Sequence, residues 1–115
     1  MFRFKREERL KGRDEIRTVF NRGKAVTCSG AKLFFLRNEL VCNRIVFTFA
    51  RKFGNAVERN RARRVGREAY RHIRNRLRCG FDLVLLVYPG KDLFSARMEQ
   101  LGILFSKAGL WLDNT

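Results

Sequence analysis

The stretch Ala56-VERNRARRVGREAYRHIRNRL-Arg78 decides the fold. It holds no proline and sets arginines against apolar residues at helical spacing, which predicts the longest helix of the chain over 56–78. At about 100° per residue, Arg59, Asn60, Arg63, Arg64, Arg67, Arg71, Arg74 and Arg78 fall within an arc of about 140°. Ala62, Val65, Ala69 and Ile73 fall opposite, so one face is core and the other a cationic rail. Only Glu58 and Glu68 are acidic here. Like charges at i,i+4, such as Arg59/Arg63, Arg63/Arg67 and Arg67/Arg71, repel by about 0.2–0.5 kcal/mol per pair. Folding alone does not select such a face; a polyanionic partner does. Arginine suits that partner because its planar guanidinium forks onto phosphate and stacks on bases. Gly66 costs about 1 kcal/mol relative to alanine in mid-helix. Close packing against a sheet and close approach of an RNA backbone both account for it.

Outward from this helix, Phe81 to Tyr88 is an apolar run ended by Pro89-Gly90, which predicts a strand buried on both faces. Ser95 is placed to cap a last helix with Met98, Leu101, Leu104, Phe105 and Ala108 in one stripe. Towards the N-terminus, Ala25 to Cys28, Lys32 to Arg37 and Arg44 to Ala50 read as short strands, most simply an antiparallel meander. Asp14 is placed to cap a first helix in which Ile16, Val19 and Phe20 share a face and which stops at Gly23. The expected order is α-β-β-β-α-β-α, an α+β two-layer sandwich with helices on a four-stranded sheet, in one domain over 1–115. The strands flanking the long helix can form a βαβ unit, whose crossover is right-handed on general grounds.

The 115 residues carry 26 Lys+Arg against 11 Asp+Glu, a formal net charge of +15, beyond what solubility needs. Nucleic acid is the expected partner. A membrane is not expected, because no run approaches the roughly 18 consecutive apolar residues of a spanning helix. The basic start Met1-Phe2-Arg3-Phe4-Lys5-Arg6 runs into Glu7 and Glu8 instead of an apolar segment, so no signal peptide and a cytoplasmic location are expected. Cys28, Cys42 and Cys79 form no C-x-x-C pair and read as free thiols.

The segment Ala50-RKFGNAVERNRAR-Arg64, followed by Arg67-Glu68, resembles the signature of the bacterial ribonuclease P protein family, centred on Arg59-Asn60-Arg61. The resemblance extends to Val19-Phe20-Asn21-Arg22-Gly23, to Arg44-Ile45-Val46-Phe47-Thr48 and to Phe81 through Val87, most of the chain. It implies a subunit that binds the catalytic RNA of ribonuclease P and helps it remove 5′ leaders from precursor tRNA. The RNA holds the active site and its magnesium (Mg2+), the polypeptide has no catalytic residue, and no obligate protein partner is implied. The resemblance also implies a left-handed βαβ crossover, against the general rule. Carried onto this sequence, it assigns Lys52, Arg59, Asn60, Arg61, Arg63, Arg64, Arg67 and Arg71 to the catalytic RNA. It assigns Phe20, Phe34, Arg63 and Arg67 to a cleft for the single-stranded leader. Ile16 stands where the family commonly has an aromatic, and Val46 where it often has glycine. For Phe20, core packing is the competing reading. Whether Phe34 or Phe35 faces the cleft depends on strand register, since a one-residue slip exchanges the faces.

Two rivals come from other classes. A protein-only hydrolase needs a general base or metal cluster, and His72 is the only histidine, expected half-buried on the apolar side of the long helix. A ribosomal or other structural RNA-binding protein fits the charge and the helix equally well, and only the resemblance separates the two.

Overall fold

The computed structural model describes residues 6–90 and 93–112, so the basic run Met1 to Lys5 lies outside the described residues. A short 3-10 turn (Arg6–Glu8) precedes α1 (Arg13–Arg22), β1 (Lys24–Cys28), β2 (Ala31–Arg37), β3 (Arg44–Phe49), α2 (Ala56–Ile73), a second 3-10 turn (Arg74–Arg76), β4 (Phe81–Val87) and α3 (Phe94–Ala108). The α+β order read from the sequence holds.

The meander does not. The sheet order is β1-β2-β4-β3. β1 and β2 form a hairpin, β4 runs antiparallel to β2, and β3 lies parallel to β4 on its far side. The cause is β4 itself: its residues are buried on both faces, and a central position between β2 and β3 meets that demand. β3, α2 and β4 thus make the expected βαβ unit.

Alternation along the strands sorts two cores. Leu33, Ile45, Phe47, Leu83, Leu85 and Val87 face α2 and α3, and pack with Ala69, Tyr70, Ile73, Leu101, Leu104 and Phe105. On the other face Val84 packs with Leu10 and Val19, flanked by Ile16, Phe34, Leu36 and Val46. Asp82, 7% exposed, is answered within this strand region by Arg44, whose Nε and Nη2 donate to its two oxygens at 2.8 and 2.7 Å. Asn38 adds a third bond at 2.8 Å. The Asp82 hydrogen bond holds the Arg44 guanidinium above its ordinary pKa.

Several local expectations change. Gly12, not Asp14, occupies the position before α1, and Leu93, not Ser95, the position before α3; neither cap is made by a side chain. The long helix ends at Ile73, because Arg74 turns inward to an ion pair with Glu8 and Leu77 enters the core. Arg74 and Arg78 therefore leave the rail. Gly66 is buried, and a Cβ there would stand 2.8 Å from Cε1 of Phe47. Close packing of helix on sheet is its reason. Tyr70 takes a buried place that the sequence reading gave to Val65, which is half-buried.

Candidate nucleic-acid interface

The chain reaches α2 through a tight turn in which the Phe53 amide donates to Ala50 O at 3.1 Å. Lys52, exposed in this turn, has φ of 67°, a left-handed conformation unusual for a residue with a Cβ. Gly54 follows at φ of 156°, and a Cβ there would fall 2.3 Å from Oε1 of Glu58. That carboxylate is committed: it accepts from the Asn55 amide at 2.9 Å while Asn55 Oδ1 accepts from the Glu58 amide at 2.9 Å, a reciprocal cap. The first turn of α2 is thereby fixed, and Arg59 braces it by donating to Gly54 O at 2.6 Å.

Along the helix, Arg61 and Arg64 are exposed and Arg63 and Arg67 half-buried. Arg63 donates to Asn60 Oδ1 at 2.9 Å and sits 5.2 Å from the ring centroid of Phe49. Val57, Asn60, Arg63, Arg64 and Arg67 line an open depression of about 470 Å³. Arg71 donates to Glu68 at 3.1 Å, which makes the rail weaker at that end. His72 is exposed, against expectation; it lies 3.3 Å from the same carboxylate and edge-on to Phe94 at 5.3 Å between centroids.

The inner flank of the rail is a second depression, about 200 Å³, lined by Arg9, Leu10, Lys11, Ile45, Val46, Phe47, Arg63 and Arg67. The Leu10 amide donates to Ile45 O at 3.0 Å, tying this N-terminal segment along the free edge of β3. Partial burial, then the charges of Arg9 and Arg63, pull the Arg67 pKa below its ordinary value. Cations crowded around an open cleft are stabilised by an anion entering it. Sequence reasoning missed Arg9 and Lys11; the signal was Leu10, a single apolar residue in a charged run that had to be buried somewhere.

Phe20 and Phe34 meet edge to face on the α1 side of the sheet. Phe35 is on the opposite face, against Phe81, so the register selects Phe34. Lys32 Nζ lies 5.0 Å from the Phe34 centroid. Phe34, Val84 and Val46 are successive partners across β2, β4 and β3, which sets Phe34 and Val46 about 10 Å apart. Val46 also lines the Arg63/Arg67 depression. The four expected leader residues thus form two pairs, aromatic and cationic, at opposite ends of one row across the sheet.

Among the described residues no three His, Cys, Asp or Glu side chains gather as a metal site, and no helix is long and apolar enough to cross a membrane.

A family model described as Ribonuclease P matches residues 4–109. A protein of Borrelia duttonii named "Ribonuclease P protein component" is 40% identical over 88 residues, 76% of this chain and 77% of that one. One of the same name from Dictyoglomus thermophilum is 32% identical over 113 residues, 95% of this chain and 94% of that one. The solved RNase P protein from Thermotoga maritima superposes with a TM-score of 0.73 at 29% identity, covering 84% of this chain and 94% of its own.

Proposed function

This chain belongs to the ribonuclease P protein family, and from that premise we propose that it binds the catalytic RNA through α2 and the 5′ leader of precursor tRNA through the flank of the sheet. The observation that carries this reading is the crowding of Arg9, Arg63 and Arg67 around one open cleft beside an exposed arginine face. Lys52, Arg59, Asn60, Arg61, Arg63, Arg64, Arg67 and Arg71 then meet the catalytic RNA, each phosphate neutralised releasing counterions. Phe20 and Phe34 offer stacking surfaces for leader bases, while Arg63 and Arg67 neutralise the backbone between them. The polypeptide positions and screens; the RNA holds Mg2+ and cleaves. Basic protein and divalent cation both offset phosphate repulsion, so each partly replaces the other.

The test is reconstitution. With its cognate RNA, the protein is expected to restore leader removal at magnesium concentrations where RNA alone is slow, and by itself to cleave nothing. Specific cleavage by RNA-free protein, or no effect on the RNA at any magnesium concentration, would overturn the proposal.

A further inference from the structure

Where α2 ends, the chain builds a cationic surface that neither the rail nor the leader cleft uses. We propose that Asn75, Arg76, Arg78 and Trp111 form a second contact with the catalytic RNA, taking a segment that presents phosphates and an unpaired base; the inference rests on the RNA-binding reading above. Leu77 is extended and buried, so its neighbours Arg76 and Arg78 turn outward together. Both are exposed, and among the described residues neither joins an ion pair, whereas Arg44, Arg71 and Arg74 each hold a carboxylate. The C-terminal segment fixes this surface: Leu112 N donates to Arg76 O at 2.8 Å and Arg78 N to Leu110 O at 2.7 Å. The Trp111 indole is anchored by bonds from Nε1 to Ser106 Oγ at 3.2 Å and Gly102 O at 3.4 Å. Arg76 lies over that ring, 5.4 Å from its centroid, beside an open depression of about 380 Å³ shared with Asn75 and Leu112.

A guanidinium held on an indole loses less freedom on binding than a solvated one, and its outer face is left for a base. Asn75, exposed beside it, supplies both a donor and an acceptor. From Arg59 to Ile73 the helix rises about 21 Å. One phosphate cluster cannot serve both ends, so the second contact takes phosphates distinct from those at the first turn of α2.

Cys79 is exposed and adjacent to Arg78, so the test can use a native thiol. In a Cys28→Ala/Cys42→Ala background, an iron chelate on Cys79 is expected to cut the bound RNA at sites distinct from those cut from a chelate at Ala56→Cys in a variant lacking all three native thiols. R76Q/R78Q, which leaves the backbone bonds intact, is expected to flatten the slope of log K against log salt by about 1.4–1.8. Cuts from position 56 but none from Cys79, or an unchanged slope in a folded R76Q/R78Q protein, would overturn the second contact while leaving the rail standing. Failure of the wild-type protein to bind the RNA would overturn both readings.

Discussion

Phe20 on α1 presents its ring to Phe34 on β2 with centroids 4.7 Å apart and planes inclined by 66°, yet Phe20 remains 36% exposed. An aromatic held edge to face by Phe34 and still more than a third exposed is placed for stacking more than for core packing. Phe20→Ala is therefore expected to lower holoenzyme affinity for a precursor with a leader of several nucleotides by about 5- to 100-fold, one stacking contact. Mature tRNA should bind as before, and the free protein should lose about 2 kcal/mol, one part from the aromatic pair and one from partial burial, or about 8 °C in melting temperature. Equal losses for both tRNAs with a large fall in melting temperature would make Phe20 a core residue.

Lys52 separates charge from folding. Its left-handed backbone costs about 1 kcal/mol, which glycine relieves while losing about as much in unfolded-state entropy. Lys52→Gly should thus melt within about 4 °C of the wild type. Its binding to the catalytic RNA should weaken, with the salt slope flattened by about one unit. An unchanged slope would remove Lys52 from the interface.

The parts of this molecule legible in its sequence are those set by local pattern. The β4 run announces a strand buried on both faces, and the spacing of Ala62, Ala69 and Ile73 announces the buried side of α2. What was missed depends on partners far along the chain. β3 pairs with β4 instead of β2, a choice made by burial of a strand more than thirty residues downstream. Arg74 continues the arginine spacing perfectly well; its ion pair with Glu8, 66 residues away, and the burial of Leu77 turn the chain inward where the helix ends. Arg9 and Lys11 have no periodicity to betray them, since their place comes from a β3 edge left open by the sheet order. Phe34 and Phe35 were indistinguishable until the register with Val84 and Leu83 fixed their faces.

Tyr70 makes stability depend on alkaline pH. The ring is 1% exposed, and burial, with the Glu8 carboxylate, raises the phenol above its ordinary pKa of 10. The folded state therefore keeps a proton that the unfolded chain releases. Its contribution is intact below about pH 10 and declines above it, by about 1.4 kcal/mol per pH unit. Tyr70→Phe has no such proton, so the stability difference between wild type and variant should be constant from pH 7 to 9 and shift in favour of the variant above pH 10. Denaturant titrations at each pH measure it; parallel curves up to pH 11 would contradict the burial of the phenol.

Arg67 offers the sharpest conflict between folding and function. Its guanidinium is half-buried, and Arg9 and Arg63 add like charge to the desolvation that already disfavours it. A neutral side chain of similar length lifts that repulsion, so the melting temperature of Arg67→Gln should equal or exceed that of the wild type at low salt. Added salt screens repulsion between partly exposed charges, with a Debye length of about 8 Å at physiological ionic strength. It should raise the wild-type melting temperature more than the variant's. RNA binding should move the other way, because the crowding that burdens the free protein is what an incoming phosphate relieves. Arg67→Gln should weaken both the catalytic-RNA complex and the leader-dependent gain in precursor affinity, with the salt slope of the former flattened by about 0.7–0.9. Melting curves across a salt series, paired with binding across the same series, read both effects. A variant less stable than the wild type at low salt, or one that binds RNA with an unaltered slope, would mean that Arg67 serves the fold and not the ligand.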